Sequence, residues 1–367
     1  MKRNFILFFS ALFLFCQAQA QNRVIDATDQ FPISAASIFD STGNLIGLTD
    51  IDGDIPKISE SSYPITLHCI GYEQLVIDSP QNKIWEMTPT SYELPEIEIV
   101  PVERNVLKQS FYIREYLSVN NDADTLILFM EHMAVRYIPT TKDAKFGGHS
   151  SLHVLNTRCY TQIKINDVDS ISVGKDPLFP SLLDLCDLEE SKIDATKSFA
   201  GQTGPNLLYQ KEDKSGMSVI HKQNDQTFTA IIDLLAEKKN HRSTPFLFKL
   251  IGATMDLTQF FTTQTYRAND EHIYLPQDVL EASFVLEADG RGKWIKWLIR
   301  SKTPVKFRSM IEIFLVDSEY YTKEEAKKEH KDKDVGLGFK IPSTIPPLSP
   351  AIQELVKRAN LASPRKM

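Results

Sequence analysis

Histidine and cysteine side chains occur close together in one segment, GGHSSLHVLNTRCY, which contains His149, His153 and Cys159. On a helix, the spacing of His149 and His153 would place both imidazoles on one face, where they could ligate zinc. However, two glycines precede the segment, its second half has the composition of a strand, and no adjacent glutamate completes an HExxH motif. We therefore predict hydrogen-bonding or surface histidines and no metal or other cofactor, with His149 and His153 as the candidates to inspect for a metal.

A second candidate for metal chemistry is LTDIDGDI, which holds Asp50, Asp52, Gly53 and Asp54. An EF-hand loop needs glycine at position 6 and glutamate at position 12, between two helices. Counted from Asp50, glycine falls at position 4 and serine at position 12, and the flanking residues have the pattern of strands. The segment therefore predicts an Asp-Gly hairpin turn.

Aromatic side chains are the remaining candidates for ligand contact. KWIKWLIR alternates in the manner of a strand, and its Trp294 and Trp297 could line a groove for a sugar or a peptide, although core packing is the default for at least one of them. The chain has no G-x-S-x-G elbow, so no catalytic residue is assigned.

The charge and the cysteines narrow the classes of partner. The 367-residue chain carries 41 lysines and arginines against 48 aspartates and glutamates, a net charge of −7, which disfavours nucleic acid as a partner. Beyond the amino-terminal segment there are three cysteines, Cys69, Cys159 and Cys186, without CxxC spacing. This pattern excludes a zinc knuckle and leaves open one disulfide between Cys159 and Cys186.

The amino-terminal segment has the pattern of a secretory signal peptide. Lys2 and Arg3 precede an apolar run over residues 5–16 and a small-residue site that ends at Ala20. The run is shorter than the ~20 residues needed to cross a bilayer, and no later segment reaches that length. Cys16 could mark a lipoprotein, but it follows Phe15 rather than a small residue. We expect residues 1–20 to be removed and the protein to be periplasmic or associated with the outer membrane of a Gram-negative bacterium.

Residues 21–102 alternate short apolar runs with turn residues, which is typical of an antiparallel β-sandwich. Within PITLHCIGY, Ile65, Leu67 and Cys69 share one face by the two-residue period. This places Cys69 in the core and His68 on the opposite face, at the surface.

The elements of this region, PISAASI, GLTDIDGDI, CIGYE and LPEIEIV, occur in the order seen in one known family. The region resembles the carboxypeptidase-like regulatory domain, a transthyretin-like sandwich of seven strands. The resemblance implies an accessory interaction module and no peptidase activity, and it covers under a quarter of the chain.

Residues 103–335 predict a larger β-rich domain of unknown function with a few short helices. Residues 124–139 and the segment KFRSMIEIFLVDSEYYT have strand patterns, and a hairpin turn is expected at residues 289–292. Ser181 could cap a short helix, and Thr322 with Glu325 predicts a capping box before another. Residues 336–367 read as a proline-rich strap and a helix that begins at Ser349 and Pro350.

The fold class predicted is therefore mainly β, with a sandwich followed by a larger β-rich domain. The function expected is that of an accessory or binding protein without catalytic activity, whose partner is an envelope protein, a glycan or a lipid. The alternatives are a hydrolase with its site in the second domain, or a lipid carrier with a half-open β-barrel.

The signal sequence gives the first testable prediction: the exported protein begins at Gln21, because Ala18 and Ala20 supply the small residues that precede the cleavage site. Intact-mass spectrometry of protein recovered from the cell envelope measures this, and Ala20→Arg should leave the precursor uncleaved. Recovery of the full-length mass, or of a mass that begins at a lipidated Cys16, would contradict it.

Overall fold

The computed structural model describes residues 22–81, 83–90, 104–121, 124–165, 168–174, 181, 183, 188, 192–198, 207–212, 217–236, 253–293, 304–331, 339, 341 and 345–362. Most of these residues lie in strands, so the prediction of a mainly β fold is confirmed. The predicted signal peptide and the seventh sandwich strand, expected at residues 94–100, lie outside the described residues.

Residues 22–90, called here the sandwich, form two small sheets. In the first, β1 (Arg23–Asp26) pairs in parallel with β6 (Ile84–Met87). The second is antiparallel with the order β3-β2-β4-β5, where β2 is Ser37–Phe39, β3 is Leu45–Leu48, β4 is Ile65–His68 and β5 is Leu75–Ile77. Their shared core contains Val24, Ile33, Ala36, Ile38, Ile65, Leu67, Ile77 and Met87.

The turn predicted at residues 50–54 is present. The N–H of Gly53 donates to the carbonyl of Asp50 at 3.0 Å, and the Asp50 carboxylate accepts the N–H groups of Asp52 and Asp54. Gly53 has a φ of +77°, and a Cβ at this position would lie 2.5 Å from the Val24 carbonyl oxygen, so the position requires glycine. Arg23 Nε donates to the Asp54 carboxylate at 2.9 Å.

The rest of the chain is built on a ten-stranded antiparallel sheet with the order β10-β9-β8-β7-β18-β17-β15-β14-β13-β12. The strands are β7 Val106–Asn120, β8 Thr125–Pro139, β9 His153–Ile165, β10 Val168–Gly174, β12 Leu207–Glu212, β13 Ser218–Gln223, β14 Thr227–Asp233, β15 Ala253–Arg267, β17 Val279–Gly292 and β18 Val305–Tyr321. A separate pair joins β11 (Ile193–Asp194) to β16 (Ile273–Tyr274).

Two strand predictions are confirmed and one turn prediction is wrong. The prediction for residues 124–139 corresponds to β8, and that for KFRSMIEIFLVDSEYYT, residues 306–322, corresponds to β18. The hairpin expected at residues 289–292 does not form, because β17 continues through Gly292. Asp289 pairs with Asp256 of β15 on one side and with Lys306 of β18 on the other, so sheet pairing overrides the turn preference of Asp-Gly.

Two helices follow the last strand. Helix α1 (Lys323–Lys331) begins with the predicted capping box, in which the Thr322 N–H donates to the Glu325 carboxylate and the Glu325 N–H donates to Thr322 Oγ1. Helix α2 (Pro350–Ala362) begins at the proline that the sequence indicated. Within the described residues, no helix has both the length and the apolar character needed to cross a membrane.

The large sheet has two faces of different character. The apolar face carries side chains such as Phe111, Ile113, Leu117, Phe307, Ile311 and Ile313, which are buried together with Leu183 and Leu188. The opposite face, called here the docking face, carries Tyr116, Phe129, Tyr160, Val285 and Met310. These pack against Phe39, Leu45 and Leu48 of the sandwich and against Ile352, Leu355 and Ala359 of α2.

A buried hydrogen-bonded pair of a histidine and a carboxylate joins the sandwich to the docking face. His68 Nε2 lies 2.5 Å from Glu312 Oε1, and the two side chains are 3% and 1% exposed. Arg114 Nη1 lies 4.0 Å from the other carboxylate oxygen. The expectation that His68 is at the surface is therefore wrong: the residue faces away from the sandwich core, as predicted, but the large sheet covers that side.

The environment of Glu312 determines when its charge contributes to stability. Burial alone would raise the pKa of this carboxyl, but the charge and hydrogen bond of His68 and the charge of Arg114 outweigh burial and lower it below 4.5. A carboxyl with a lowered pKa stabilises the fold above its unfolded pKa, and that contribution is lost as the pH falls through the folded pKa.

Removal of the histidine should leave Glu312 charged, buried and under-compensated. We expect His68→Leu to lower the free energy of unfolding by about 3–5 kcal/mol at pH 7, as measured by urea denaturation. The double variant His68→Leu/Glu312→Leu also removes the buried carboxylate and should recover part of that loss, while the buried Arg114 loses its contact with Glu312. It should also lose less stability than the wild type on acidification below pH 4.5. Equal stability of the two variants at pH 7 would contradict the role of the buried charge.

Candidate functional site

A cleft opens between the sandwich and the docking face at the strands β13, β14, β15 and β17. Its volume is about 250 Å³. The sandwich contributes side chains and backbone from Phe31, Pro32, Ile33, Ser34, Cys69, Ile70, Gly71, Tyr72, Pro89 and Thr90. The sheet contributes Ile220, Lys222, Asn224, Gln226, Thr227, Thr229, Ile231, Thr263, Thr265 and Glu281. This is the candidate functional site.

Strand register places the polar side chains of the cleft in one row. Lys222 of β13 pairs with Thr229 of β14, Thr229 pairs with Thr265 of β15, and Thr265 pairs with Glu281 of β17. Because residues directly opposite each other share a face of the sheet, all four side chains project into the cleft. The hydroxyls of Thr229 and Thr265 are 3.2 Å apart.

A second row of the same face is mainly apolar. Ile220 pairs with Ile231, and Ile231 pairs with Thr263. The floor of the cleft therefore combines a hydroxyl-rich row with an adjacent aliphatic row.

The sandwich approaches this floor through Gly71. This residue has a φ of +81°, a conformation that strains any other residue, and a Cβ built on it would lie 3.6 Å from a carboxylate oxygen of Glu281. The IGYE segment that carries part of the family resemblance thus forms one wall of the cleft.

Lys222 is already paired at the edge of the cleft. Its ammonium contacts the carboxylates of Asp26 and Asp29 and lies 3.4 Å from the hydroxyl oxygen of Tyr72, which donates to Asp26 at 2.9 Å. Asp26 is fully buried, and burial alone would raise its pKa. The hydrogen bonds from Lys222 and from the Thr28 N–H outweigh burial and lower the pKa below its usual value.

The nucleophilic side chains of the cleft are held in unreactive forms. Burial, together with the charges of Glu312 and Glu281, raises the pKa of Cys69 to about 12, so its thiol stays protonated near neutral pH. Burial also raises the pKa of Tyr72. The ammonium of Lys222 is likewise paired with two aspartates.

The candidate metal ligands lie elsewhere. His153 begins β9, and its Nε2 is 2.8 Å from Nε2 of His330 in α1, while His149 Nδ1 is 2.9 Å from Ser150 Oγ. Among the described residues, no group of three or more histidine, cysteine, aspartate or glutamate side chains could hold a metal ion. Cys159 is a free, buried thiol in β9, and its possible partner Cys186 lies outside the described residues, as do Trp294 and Trp297.

A buried polar cluster on the apolar face is the arrangement closest to a hydrolytic site. His132 Nδ1 is 2.9 Å from Thr157 Oγ1, and His132 Nε2 is 3.6 Å from Glu115 Oε2. Ser181 Oγ donates to that same carboxylate oxygen at 2.7 Å. The serine proton is therefore directed at a carboxylate rather than at the imidazole, which differs from a serine triad.

Sequence reasoning missed both the cleft and the partner of His153. The alternating threonines of TFTAIID and TTQTYR indicate one polar face on each strand, but Thr229 and Thr265 are 36 positions apart and only the strand order brings them together. His330 lies 177 positions after His153. The sequence predicted the helix that contains His330, but local patterns do not show which strand the helix contacts.

The paired lysine gives a prediction about stability. Lys222→Met keeps most of the aliphatic side chain but leaves Asp26 buried without its ammonium partner. We expect a loss of about 3 kcal/mol in unfolding free energy, at the lower end for a buried pair because Lys222 is 26% exposed. Lys306→Met is the matched control: it breaks the exposed pair with Asp289 and the longer contact with Glu287, which keeps Arg308, and should cost under about 1 kcal/mol. Similar losses in the two urea-denaturation experiments would show that Asp26 does not depend on Lys222.

Comparisons with known proteins assign neither a family nor a function to the chain. No protein-family model and no curated protein matches the chain. A chain from a structure of lipid–protein interactions in lipovitellin is 10% identical, with a TM-score of 0.27, over 61% of this chain and 26% of that chain. A structure described as AttH from Nitrosomonas europaea is 6% identical, with a TM-score of 0.12, over 60% of this chain and 56% of that one. The chain thus spans about a quarter and just over half of these two neighbours, and likenesses this weak carry no argument about its function.

Proposed function

We propose that this protein is an exported accessory protein that binds a small molecule in the cleft between the sandwich and the docking face, without converting it chemically. The observation that carries the proposal is the chemical state of the side chains that line the cleft. Its lysine is paired with Asp26 and Asp29, and its thiol is protonated, while several hydroxyls line an open volume of about 250 Å³. Such a site offers contacts to a ligand but no activated nucleophile.

Sequence features support the cellular part of the proposal. The basic start, the apolar run and the small residues before residue 21 support export to the periplasm or the outer membrane of a Gram-negative bacterium. The resemblance of the sandwich to the carboxypeptidase-like regulatory domain supports an accessory role. In this proposal, the sandwich supplies one wall of the binding site.

The alternative of a lipid carrier has less support from the described residues. A carrier needs an open apolar cavity, whereas Phe111, Ile113, Phe307 and Ile313 of the apolar face are buried by the chain itself. The cleft has a polar row along its floor, which disfavours an acyl chain.

A ligand screen that depends on the cleft tests the proposal. The purified protein is screened by thermal shift against neutral and charged sugars, amino acids, nucleosides and short carboxylic acids. Thr263→Trp should fill the cleft and abolish every shift that reports binding there. Ser61→Trp adds the same ring to an exposed turn of the sandwich and should leave those shifts unchanged.

Conversion of the ligand is measured separately. After overnight incubation with the protein, a ligand that shifts the melting temperature should be recovered unchanged by mass spectrometry. Loss of the ligand with the wild type but not with Thr263→Trp would contradict a purely binding function. Absence of any shift sensitive to Thr263→Trp would contradict the cleft as the functional site.

A further inference from the structure

The charge around the cleft limits which ligands it can accept. Of the residues that line it, Lys222 and Glu281 carry formal charges, and Asp26 and Asp29 both contact Lys222 from the sandwich. Two carboxylates therefore contact one ammonium group at the edge of the cleft. An anionic ligand would meet net negative charge at the edge of the cleft and would find its only nearby cation, among the lining residues, already neutralised.

The hydrogen-bonding groups of the cleft are mostly neutral. Thr227, Thr229, Thr263 and Thr265 present hydroxyls, each of which can both donate and accept. Asn224 and Gln226 add amide groups to the same lining. This set matches a ligand that itself carries several groups able to donate and accept, and vicinal hydroxyls have that property.

The apolar row of the cleft floor offers contacts to the C–H groups of such a ligand. Ile220 and Ile231 lie beside the threonines on the floor, and Phe31 and Pro32 line the cleft from the sandwich. A sugar ring presents C–H groups on its faces and hydroxyls around its edge, so it can contact both kinds of row at once. The volume of about 250 Å³ lies below the usual ~300–1,000 Å³ of small-molecule sites and suits one ring rather than a chain of rings.

We propose that the ligand of the cleft is a single neutral sugar ring, either free or at the end of a glycan. This inference rests on the proposed function, because it assigns a ligand class to the same site. The ring lies along the aliphatic row, and its hydroxyls bond to the threonines and to the amides at the edge. Lys222 stays bound to its aspartates and holds the sandwich in place instead of contacting the ligand.

Adjacent threonines in β15 provide a matched pair of variants. Thr263 pairs with Ile231 and lines the cleft, whereas Thr262 pairs with Ile232 and points to the opposite face of the sheet. Valine has the shape of threonine without the hydroxyl, so Thr263→Val and Thr265→Val each remove one hydrogen-bonding group from the cleft. Thr262→Val makes the same change on the other face.

Isothermal titration of the purified protein with D-glucose, D-galactose and D-mannose, against D-glucuronate, tests the ligand class. We expect at least one neutral hexose to bind more tightly than D-glucuronate. Thr263→Val and Thr265→Val should each weaken that binding by about two- to tenfold, as expected for one hydrogen bond. Thr262→Val should leave the affinity unchanged.

Several outcomes would overturn the ligand class while leaving the binding function intact. These are tighter binding of D-glucuronate, equal losses in Thr262→Val and Thr263→Val, or cleft-dependent thermal shifts only with ligands other than sugars. If no compound of any class gives a shift sensitive to Thr263→Trp, the proposed binding function itself fails. The two failures are thus distinguishable.

Discussion

Two charged side chains of the large sheet, Glu312 and Lys222, have their shortest ion-pair or hydrogen-bond contacts with the sandwich. Glu312 is matched by His68, and Lys222 is matched by Asp26 and Asp29. Because an unpartnered buried charge is very costly, the sheet and the sandwich cannot separate without a large loss of stability. Lys222 and Cys69, the neighbour of His68 in the chain, both line the cleft. The contacts that join the sheet to the sandwich therefore also border the site.

The cleft exists because the docking face changes character across the sheet. Its central strands carry large side chains, among them Tyr116, Phe129 and Met310, which pack directly against Phe39 of the sandwich. The strands β13, β14 and β15 carry threonines and isoleucines instead, and the sandwich does not fill the space above them. The sandwich thus packs against the centre of the sheet. It leaves beside that contact an open volume that is lined mostly by uncharged side chains. The proposed binding function depends on that difference in side-chain size.

Sequence patterns predicted the elements better than their contacts. The mainly β class, the strand at β8, the capping box before α1 and the start of α2 all follow from local spacing, and local spacing was sufficient for them. The two-residue period correctly predicted that His68 and Leu67 lie on opposite faces of β4. Periodicity does not show what packs against either face. Asp289 and Gly290 favour a turn in isolation, but pairing with β15 on one side and β18 on the other keeps them in a strand. The cleft was not predictable, because Lys222, Thr229, Thr265 and Glu281 meet only through the order of four strands.

The charges of this molecule differ in how they respond to dissolved salt. The pairs Arg291–Asp256 and Lys306–Asp289 lie on exposed parts of the sheet, where mobile ions screen them. The pair between His68 and Glu312 is almost fully enclosed, and counterions cannot reach it. If the protein is exported as proposed, it meets ionic strengths that the cell does not control. Because the enclosed pair joins the two parts, their alignment stays constant while the outer surface adjusts to the surrounding medium.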